Sequence, residues 1–119
     1  MKLLIVDDSS FARRKLKQAL LLAKPNLEIV EACDGEDALQ KIVSEIPDYC
    51  ITDLVMPKMD GISFLNEVKT RGLAVKVVVA SADIQEQRRK ECSELGAAGF
   101  FEKPLTAAKI TGLLAALES

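Results

Sequence analysis

Acidic side chains follow two of the apolar runs in this sequence. Asp7 and Asp8 come directly after residues 3–6. Asp53 comes directly after residues 49–52. The carboxyl ends of parallel strands share one edge of a sheet, and the first and third strands are neighbours in a common strand order. We therefore expect the three carboxylates to converge. Their mutual repulsion calls for a cation, and Mg²⁺, which takes oxygen ligands and keeps several waters, fits best.

Two further polar side chains follow predicted strands. Ser81 follows residues 76–80 and would bring a hydroxyl group to the same edge of the sheet. Lys103 follows residues 99–101 and would bring an ammonium group, with Pro104 fixing the backbone behind it. The sequence thus predicts a site of carboxylates, one hydroxyl and one ammonium at the carboxyl edge of a parallel sheet.

Each of these residues also has a simpler interpretation. Residues 7–10 could serve only as a cap for the first helix. Ser81 could cap the helix that follows it, and Lys103-Pro104 could be an ordinary surface turn. The common position of all these residues at strand ends, with complementary chemistry, favours a functional site.

The elements that must position these residues alternate along the whole chain. Before the predicted strands at residues 49–52 and 76–80, apolar residues recur at helical spacing, which indicates amphipathic helices. Predicted strands cover residues 3–6, 27–32, 49–52, 76–80 and 99–101, and predicted helices cover 10–23, the segment between the Asp34-Gly35 turn and Pro47, 61–70, 84–95 and 106–117. Phe11 is predicted to lie on the apolar stripe of the first helix, and Val43 on that of the second. Gly112 lies inside the last helix, where it costs about 1 kcal/mol relative to Ala.

This alternation predicts the fold class. Strand and helix in strict succession indicate an α/β protein with a parallel sheet, right-handed crossovers and helices on both faces. The 119 residues leave no linker or second core, so we expect one domain over 1–119.

Composition excludes several functions. The net charge of −2 gives no electrostatic reason to bind nucleic acid or an anionic membrane, and no apolar run is long enough for a membrane span or signal peptide. We therefore expect a cytoplasmic protein. Histidine is absent, so the chemistry must use carboxylates, hydroxyls and lysines. Cys33, Cys50 and Cys92 lack metal-ligand spacing and are expected to be buried, reduced thiols.

Four motifs together resemble the receiver domains of two-component response regulators. They are LLIVDDS, ITDLVMPKMDG, VVVASA and GFFEKP, in the order and spacing of that family and spread over essentially the whole chain. Among single-domain members, the sequence is most similar to the chemotaxis response regulators. The resemblance implies a flavodoxin-like (βα)5 fold with strand order 2-1-3-4-5.

The resemblance also implies a role for each candidate residue. Asp53 is the implied phosphate acceptor. Asp8, Asp53 and the backbone carbonyl of Val55 are the implied Mg²⁺ ligands, and Asp7 acts through a bound water. Lys103 pairs with the phosphoryl oxygens.

The switch that the resemblance implies uses Ser81 and Phe100. Ser81 hydrogen-bonds a phosphoryl oxygen and is drawn toward it, and Phe100 then changes its burial. The Lys103–Pro104 peptide is expected to be cis, and Val55 and Asp83 occupy positions that tune the lifetime of the phosphorylated state. The output surface is expected on the fourth helix, fifth strand and fifth helix.

The implied partners are a sensor histidine kinase, a downstream effector and a phosphatase, with neither nucleic acid nor membrane among them. The implied function is a phosphorylation-activated switch rather than an enzyme, in chemotaxis or a similar two-component pathway. An aspartyl-phosphate phosphatase usually has a second Asp two residues after the nucleophile, where this sequence has Val55. A receiver-like binding module that works without phosphorylation remains the alternative.

Overall fold

Short runs of aliphatic and β-branched residues form the five strands of a parallel sheet, and longer amphipathic segments form the helices between them. The structure, a computed structural model, describes residues 1–82 and 85–119. The elements in chain order are β1 (Lys2–Val6), α1 (Ser10–Ala23), β2 (Glu28–Ala32), α2 (Gly35–Glu45), β3 (Tyr49–Thr52), α3 (Gly61–Thr70), β4 (Lys76–Ser81), α4 (Glu86–Glu94), β5 (Gly99–Glu102) and α5 (Ala107–Glu118).

The strand order is β2-β1-β3-β4-β5, which confirms the predicted topology. Two apolar cores cover the two faces of the sheet. One face packs against α1 and α5 through residues such as Leu20 and Leu113. The other packs against α2, α3 and α4 through residues such as Leu39, Phe64 and Cys92.

Strand register sets which residues leave the sheet side by side. Val6 of β1 pairs with Thr52 of β3, so Asp7 and Asp53 emerge at the same level. Ser81 of β4 pairs with Glu102 of β5, so Lys103 emerges one residue beyond Ser81. The carboxyl edge therefore gathers these side chains from four adjacent strands, β1, β3, β4 and β5.

The helix starts follow from the sequence. Ser9, Asp34, Asp60 and Thr106 each accept a backbone N–H at the first turn of α1, α2, α3 and α5. Helix α5 runs without interruption through Gly112, because its apolar face is buried against the sheet.

Several strand and helix boundaries differ from prediction. Strand β4 extends through Ser81 and β5 through Glu102, because these two residues pair with each other. The described part of α4 begins at Glu86, and the predicted start of that helix, residue 84, lies outside the described residues, as does Asp83.

Three predictions of burial are wrong. Phe11 and Val43, predicted on apolar stripes, are exposed, because α1 and α2 turn other side chains toward the sheet. Cys50 and Cys92 are buried as predicted, but Cys33 is exposed because it lies beyond the end of β2 at the edge of the sheet. Within the described part of the chain, no helix is long and apolar enough to cross a bilayer.

Candidate functional site

The backbone of the two strand ends is held by the sheet itself. The N–H of Asp7 donates to the carbonyl of Ala32 at 3.1 Å, and the N–H of Asp53 donates to the carbonyl of Val6 at 3.1 Å. These bonds extend the parallel ladders by one residue. Asp7 and Asp53 are therefore placed by the ends of two neighbouring sheet strands.

Lys103 joins the two carboxylates. Its backbone N–H donates to the carbonyl of Ser81 at 2.9 Å, which places the residue beside the end of β4. Its Nζ atom donates to Asp7 Oδ2 at 2.9 Å and to Asp53 Oδ2 at 3.0 Å. The Lys103–Pro104 peptide is cis, as expected. The structure thus brings Asp7, Asp53 and Lys103 into contact.

The second oxygen of each carboxylate is held by the backbone. Asp7 Oδ1 accepts the N–H of Ser9 at 2.9 Å. Asp53 Oδ1 accepts the N–H of Leu54 at 2.6 Å and that of Val55 at 3.4 Å. Both oxygens of each carboxylate therefore accept hydrogen bonds. Each side chain is consequently fixed in one orientation around the ammonium group.

The ammonium group is charged throughout the physiological range. Burial by itself would lower the pKa of Lys103, but the hydrogen bonds to Asp7 and Asp53 and their charges outweigh burial, and the pKa is raised above 10.5. Because it is raised, the contribution of this group to native stability is complete below pH 10.5. That contribution is lost as the pH rises through the folded-state value.

Of the three carboxylates predicted to converge, only Asp7 and Asp53 contact Lys103. Asp8 is exposed, whereas Asp7 is buried. Across residues 1–82 and 85–119, no group of three His, Cys, Asp or Glu side chains is close enough to hold a metal ion.

The donor set still fits Mg²⁺. Asp7 and Asp53 already share one cation, Lys103, which shows that their oxygens can face a common positive charge. Mg²⁺ in proteins is bound by one or two carboxylates and completes its octahedron with water and phosphate oxygens. Asp8 adjoins this pair and is accessible to solvent.

The loop after Asp53 is tightly folded against the strand end. The N–H of Gly61 donates to the carbonyl of Leu54 at 2.8 Å. A Cβ atom on Gly61 would lie 2.4 Å from the backbone oxygen of Asp53, so this position admits only glycine. Lys58 adopts a left-handed conformation with φ 64°, and the side chain of Val55 is exposed. The loop is therefore tightly folded, while the Val55 side chain stays exposed to solvent.

The two predicted switch residues lie on β4 and β5. Ser81 is buried at the carboxyl end of β4. Phe100 is partly buried against the core beneath α4, and the guanidinium of Arg89 lies 5.2 Å from the centre of its ring. A cavity of about 230 Å³ between α4 and β5 is lined by Arg89, Cys92 and Phe100 among others. Phe100 thus has space beside it on the predicted output surface.

Sequence reasoning missed one residue of this region, Arg13. Its Nη1 atom donates to the backbone carbonyl of Asp7 at 2.6 Å, and its Nε atom donates to Glu31 Oε1 at 3.0 Å. The only signal in the sequence is the position of an arginine one turn into the helix that starts beside the acidic pair. Its partner on β2 could not be identified without the fold.

A parallel sheet of this order, with an Asp–Lys–Asp cluster at its carboxyl edge, defines the class of receiver-like α/β proteins. Residues 3–115 match the response regulator receiver domain. The chain belongs to this family.

Its relatives include chemotaxis proteins. The chain is 34% identical over 110 residues to the chemotaxis protein CheY of Bacillus subtilis, a match that covers 92% of the chain and 90% of that protein. It is 39% identical over 107 residues to a protein-glutamate methylesterase/protein-glutamine glutaminase of Treponema denticola. That match covers 87% of the chain but only 28% of the longer relative.

Solved structures of response regulator proteins are also similar to this chain. The CheX–CheY–BeF3–Mg²⁺ complex from Borrelia burgdorferi matches with a TM-score of 0.90 and 34% identity, over all of this chain and 90% of that one. The receiver domain of the response regulator NarL from Mycobacterium tuberculosis matches with a TM-score of 0.90 and 30% identity, over 99% of this chain and 96% of that one.

Proposed function

We propose that this chain is a phosphorylation-activated signalling switch, in chemotaxis or a similar two-component pathway, with Asp53 as its phosphate acceptor. The observation that carries the proposal is the contact of Lys103 Nζ with Asp7 Oδ2 at 2.9 Å and Asp53 Oδ2 at 3.0 Å. An ammonium group between two mostly buried carboxylates is the charge arrangement that phosphoryl transfer to a carboxylate needs.

In the proposed reaction, a carboxylate oxygen of Asp53 attacks the phosphorus of a phosphohistidine on the partner kinase. The new O–P bond forms as the P–N bond to the imidazole breaks, and the imidazole nitrogen takes up a proton from solvent. The chain has no histidine, so the phosphoryl group must come from a partner or a small phosphodonor. The backbone N–H groups of Leu54 and Val55 hold Asp53 Oδ1 and so orient the nucleophile.

Asp8, Asp53 and the carbonyl oxygen of Val55 would hold Mg²⁺, with Asp7 acting through water. When bound, Mg²⁺ neutralises charge on the phosphoryl oxygens. Lys103 supplies the second positive charge, and its raised pKa keeps it protonated during the reaction. The CheY complex named above contains Mg²⁺, which supports Mg²⁺ as the ion.

The proposed response passes from Ser81 to Phe100. The phosphoryl group draws the Ser81 hydroxyl toward it, and Phe100 changes its burial beneath α4. This shifts the population of two arrangements of the α4–β5–α5 surface, where a downstream effector binds. Residue 100 is Phe, so no phenolic hydroxyl is offered to the effector at this position.

The proposed partners are a sensor histidine kinase, a downstream effector and a phosphatase, without nucleic acid or membrane. The CheX–CheY complex is the precedent for a further protein partner. We assign residues 1–119 to one receiver domain that acts as a phosphate acceptor rather than an enzyme on other substrates.

Intact mass spectrometry after incubation with acetyl phosphate tests the proposal. Wild type should gain one phosphoryl group only with Mg²⁺, and Asp53→Asn should gain none. The matched control is Asp48→Asn, since Asp48 lies at the opposite end of the sheet and should leave the gain unchanged.

Labelling of Asp53→Asn would show that another residue is the acceptor. No labelling of wild type with acetyl phosphate, phosphoramidate or a phosphorylated kinase would favour the phosphorylation-independent binding module.

A further inference from the structure

The backbone of Asp7 is held by hydrogen bonds at both its N–H and its carbonyl. On one side, the N–H of Asp7 donates to the carbonyl of Ala32 at 3.1 Å. On the other, the carbonyl of Asp7 accepts a hydrogen bond from Arg13 Nη1 at 2.6 Å. This carbonyl belongs to the same planar peptide as the nitrogen of Asp8. The hydrogen bond from Arg13 therefore fixes the peptide plane from which Asp8 continues.

Arg13 is itself anchored on β2. Its Nε atom donates to Glu31 Oε1 at 3.0 Å, and the other oxygen of Glu31 lies 3.9 Å from Lys17 Nζ. The backbone carbonyl of Glu31 accepts a hydrogen bond from Lys41 Nζ at 2.7 Å. The guanidinium thus connects α1, the edge strand and the acidic loop through two directed bonds, a geometry that a lysine cannot reproduce.

We propose that Arg13, held by Glu31, is a positioning residue for the Mg²⁺ site: it fixes the Asp7–Asp8 peptide and thereby presents the Asp8 carboxylate to the ion. The inference rests on the proposed function and adds a residue that contacts neither the metal nor the phosphoryl group. Its contact with the acidic loop is through a backbone oxygen.

Positioning and simple electrostatics predict opposite signs. A cation beside the acidic pair repels Mg²⁺, so removing its charge would tighten Mg²⁺ binding if charge were its only effect. If Arg13 positions Asp8, its removal weakens Mg²⁺ binding in spite of the lost repulsion. Loss of an outer partner of a metal ligand typically lowers metal affinity by about tenfold or more.

The test is an NMR titration of the unphosphorylated chain with MgCl₂, following the backbone amides of Asp8 and Asp53. Arg13→Gln should raise the Kd for Mg²⁺ by about tenfold. Arg13→Lys keeps the charge but can satisfy only one of the two acceptors, so its Kd should also rise. Lys17→Gln is the matched control, because Lys17 contacts the same Glu31 without contacting Asp7, and its Kd should equal that of wild type.

Urea unfolding of each variant separates positioning from loss of fold. If an Arg13 variant is unfolded at the titration temperature, Glu31→Ala replaces it, with Glu31→Gln as control, because Gln loses the same charge but keeps an oxygen that can accept from Arg13 Nε. A Kd that rises for Glu31→Ala alone supports the proposal, and equal values for the two variants overturn it.

Unchanged or tighter Mg²⁺ binding in folded Arg13→Gln, with normal binding by wild type, would overturn the role of Arg13 and leave the proposed function intact. Absence of Mg²⁺ binding by wild type would overturn both.

Discussion

Each end of the sheet carries a lysine between two carboxylates, and only one end has the features of a functional site. At the amino end, Lys2 Nζ lies 3.4 Å from Glu28 and 3.4 Å from Glu45. At the carboxyl end, Lys103 Nζ lies 2.9 Å from Asp7 and 3.0 Å from Asp53. For both ammonium groups, burial lowers the pKa and the carboxylates raise it, with a net rise. Neither the pairing nor the direction of the pKa shift distinguishes the two clusters.

The clusters differ in the environment of the carboxylates. The two lysine side chains are equally accessible, at 26% for Lys2 and 28% for Lys103. The Glu28 and Glu45 side chains are 67% and 43% exposed, whereas those of Asp7 and Asp53 are 11% and 17% exposed. Exposed ion pairs are screened and contribute little.

Short aspartates at strand ends, each with one oxygen held by a backbone N–H, form a fixed electrostatic site. Long glutamates on the surface form exposed ion pairs. Carboxylate burial and backbone support, rather than the lysine, make the carboxyl end suitable for chemistry.

The largest expected difference between the two ends is in phosphorylation rate. Lys103→Met should slow labelling by acetyl phosphate by about a hundredfold, since a fixed positive charge on the transferring group is lost. Lys2→Met removes the corresponding charge at the amino end and should leave the rate unchanged. Initial rates of mass gain with saturating Mg²⁺ give the measurement. Equal rates in the two variants would remove the distinction between the two clusters.

The two ends should also differ in their tolerance of a methyl group on glycine. Gly61→Ala forces a Cβ atom to 2.4 Å from the backbone oxygen of Asp53, so we expect a loss of about 3 kcal/mol in the free energy of unfolding. Gly72, in the loop before β4, has φ +62° and open space around it. Gly72→Ala should cost only about 1 kcal/mol, from backbone strain. Urea denaturation measures both, and equal losses would contradict the tight packing of the loop after Asp53.

A smaller effect, on the ring of Phe100, is expected when BeF₃⁻ and Mg²⁺ bind at the site. Addition of BeF₃⁻ with Mg²⁺ should shift the NMR ring resonances of Phe100 on β5, because this ring has a cavity beside it. Tyr49, the first residue of β3, lies toward the amino end and should show no shift. Ser81→Ala should retain BeF₃⁻ binding but reduce the shift of Phe100. Equal shifts of both rings would indicate a global change rather than a path through Ser81.

The smallest expected effect concerns the thiols. Local desolvation and the carboxylates of Asp34 and Asp37 raise the pKa of exposed Cys33. Its reaction with DTNB should therefore increase with pH around a midpoint above that of a free cysteine, because only the thiolate reacts. Asp37→Asn should lower this midpoint.

Cys50 and Cys92 are internal controls for that measurement. Burial raises the pKa of both thiols, that of Cys92 to about 11. Both should react only in denaturant, and reaction of either in the native protein would contradict the buried core.

The order of the elements could be predicted from the sequence because each segment carries its own periodicity and punctuation. The β3 and α3 boundaries agree with prediction for this reason. The end of β4 at Ser81 could not be predicted, because it depends on pairing with Glu102 of another strand. The exposure of Phe11 could not be predicted, because helical spacing identifies an apolar stripe without showing how far the sheet extends beneath it.

The sequence by itself determined the chemistry available at the carboxyl edge: acids after two strands, a hydroxyl and an ammonium after two others, and no histidine. Only the tertiary structure decided which of them meet. Lys103 joins Asp7 across 96 residues and Asp53 across 50, while adjacent Asp8 lies outside that contact. The tertiary structure also brings Arg13 to the carbonyl of Asp7 and to Glu31. The physical reason is that residue type and local periodicity are properties of short segments, whereas the register of neighbouring strands fixes distances between side chains remote in sequence.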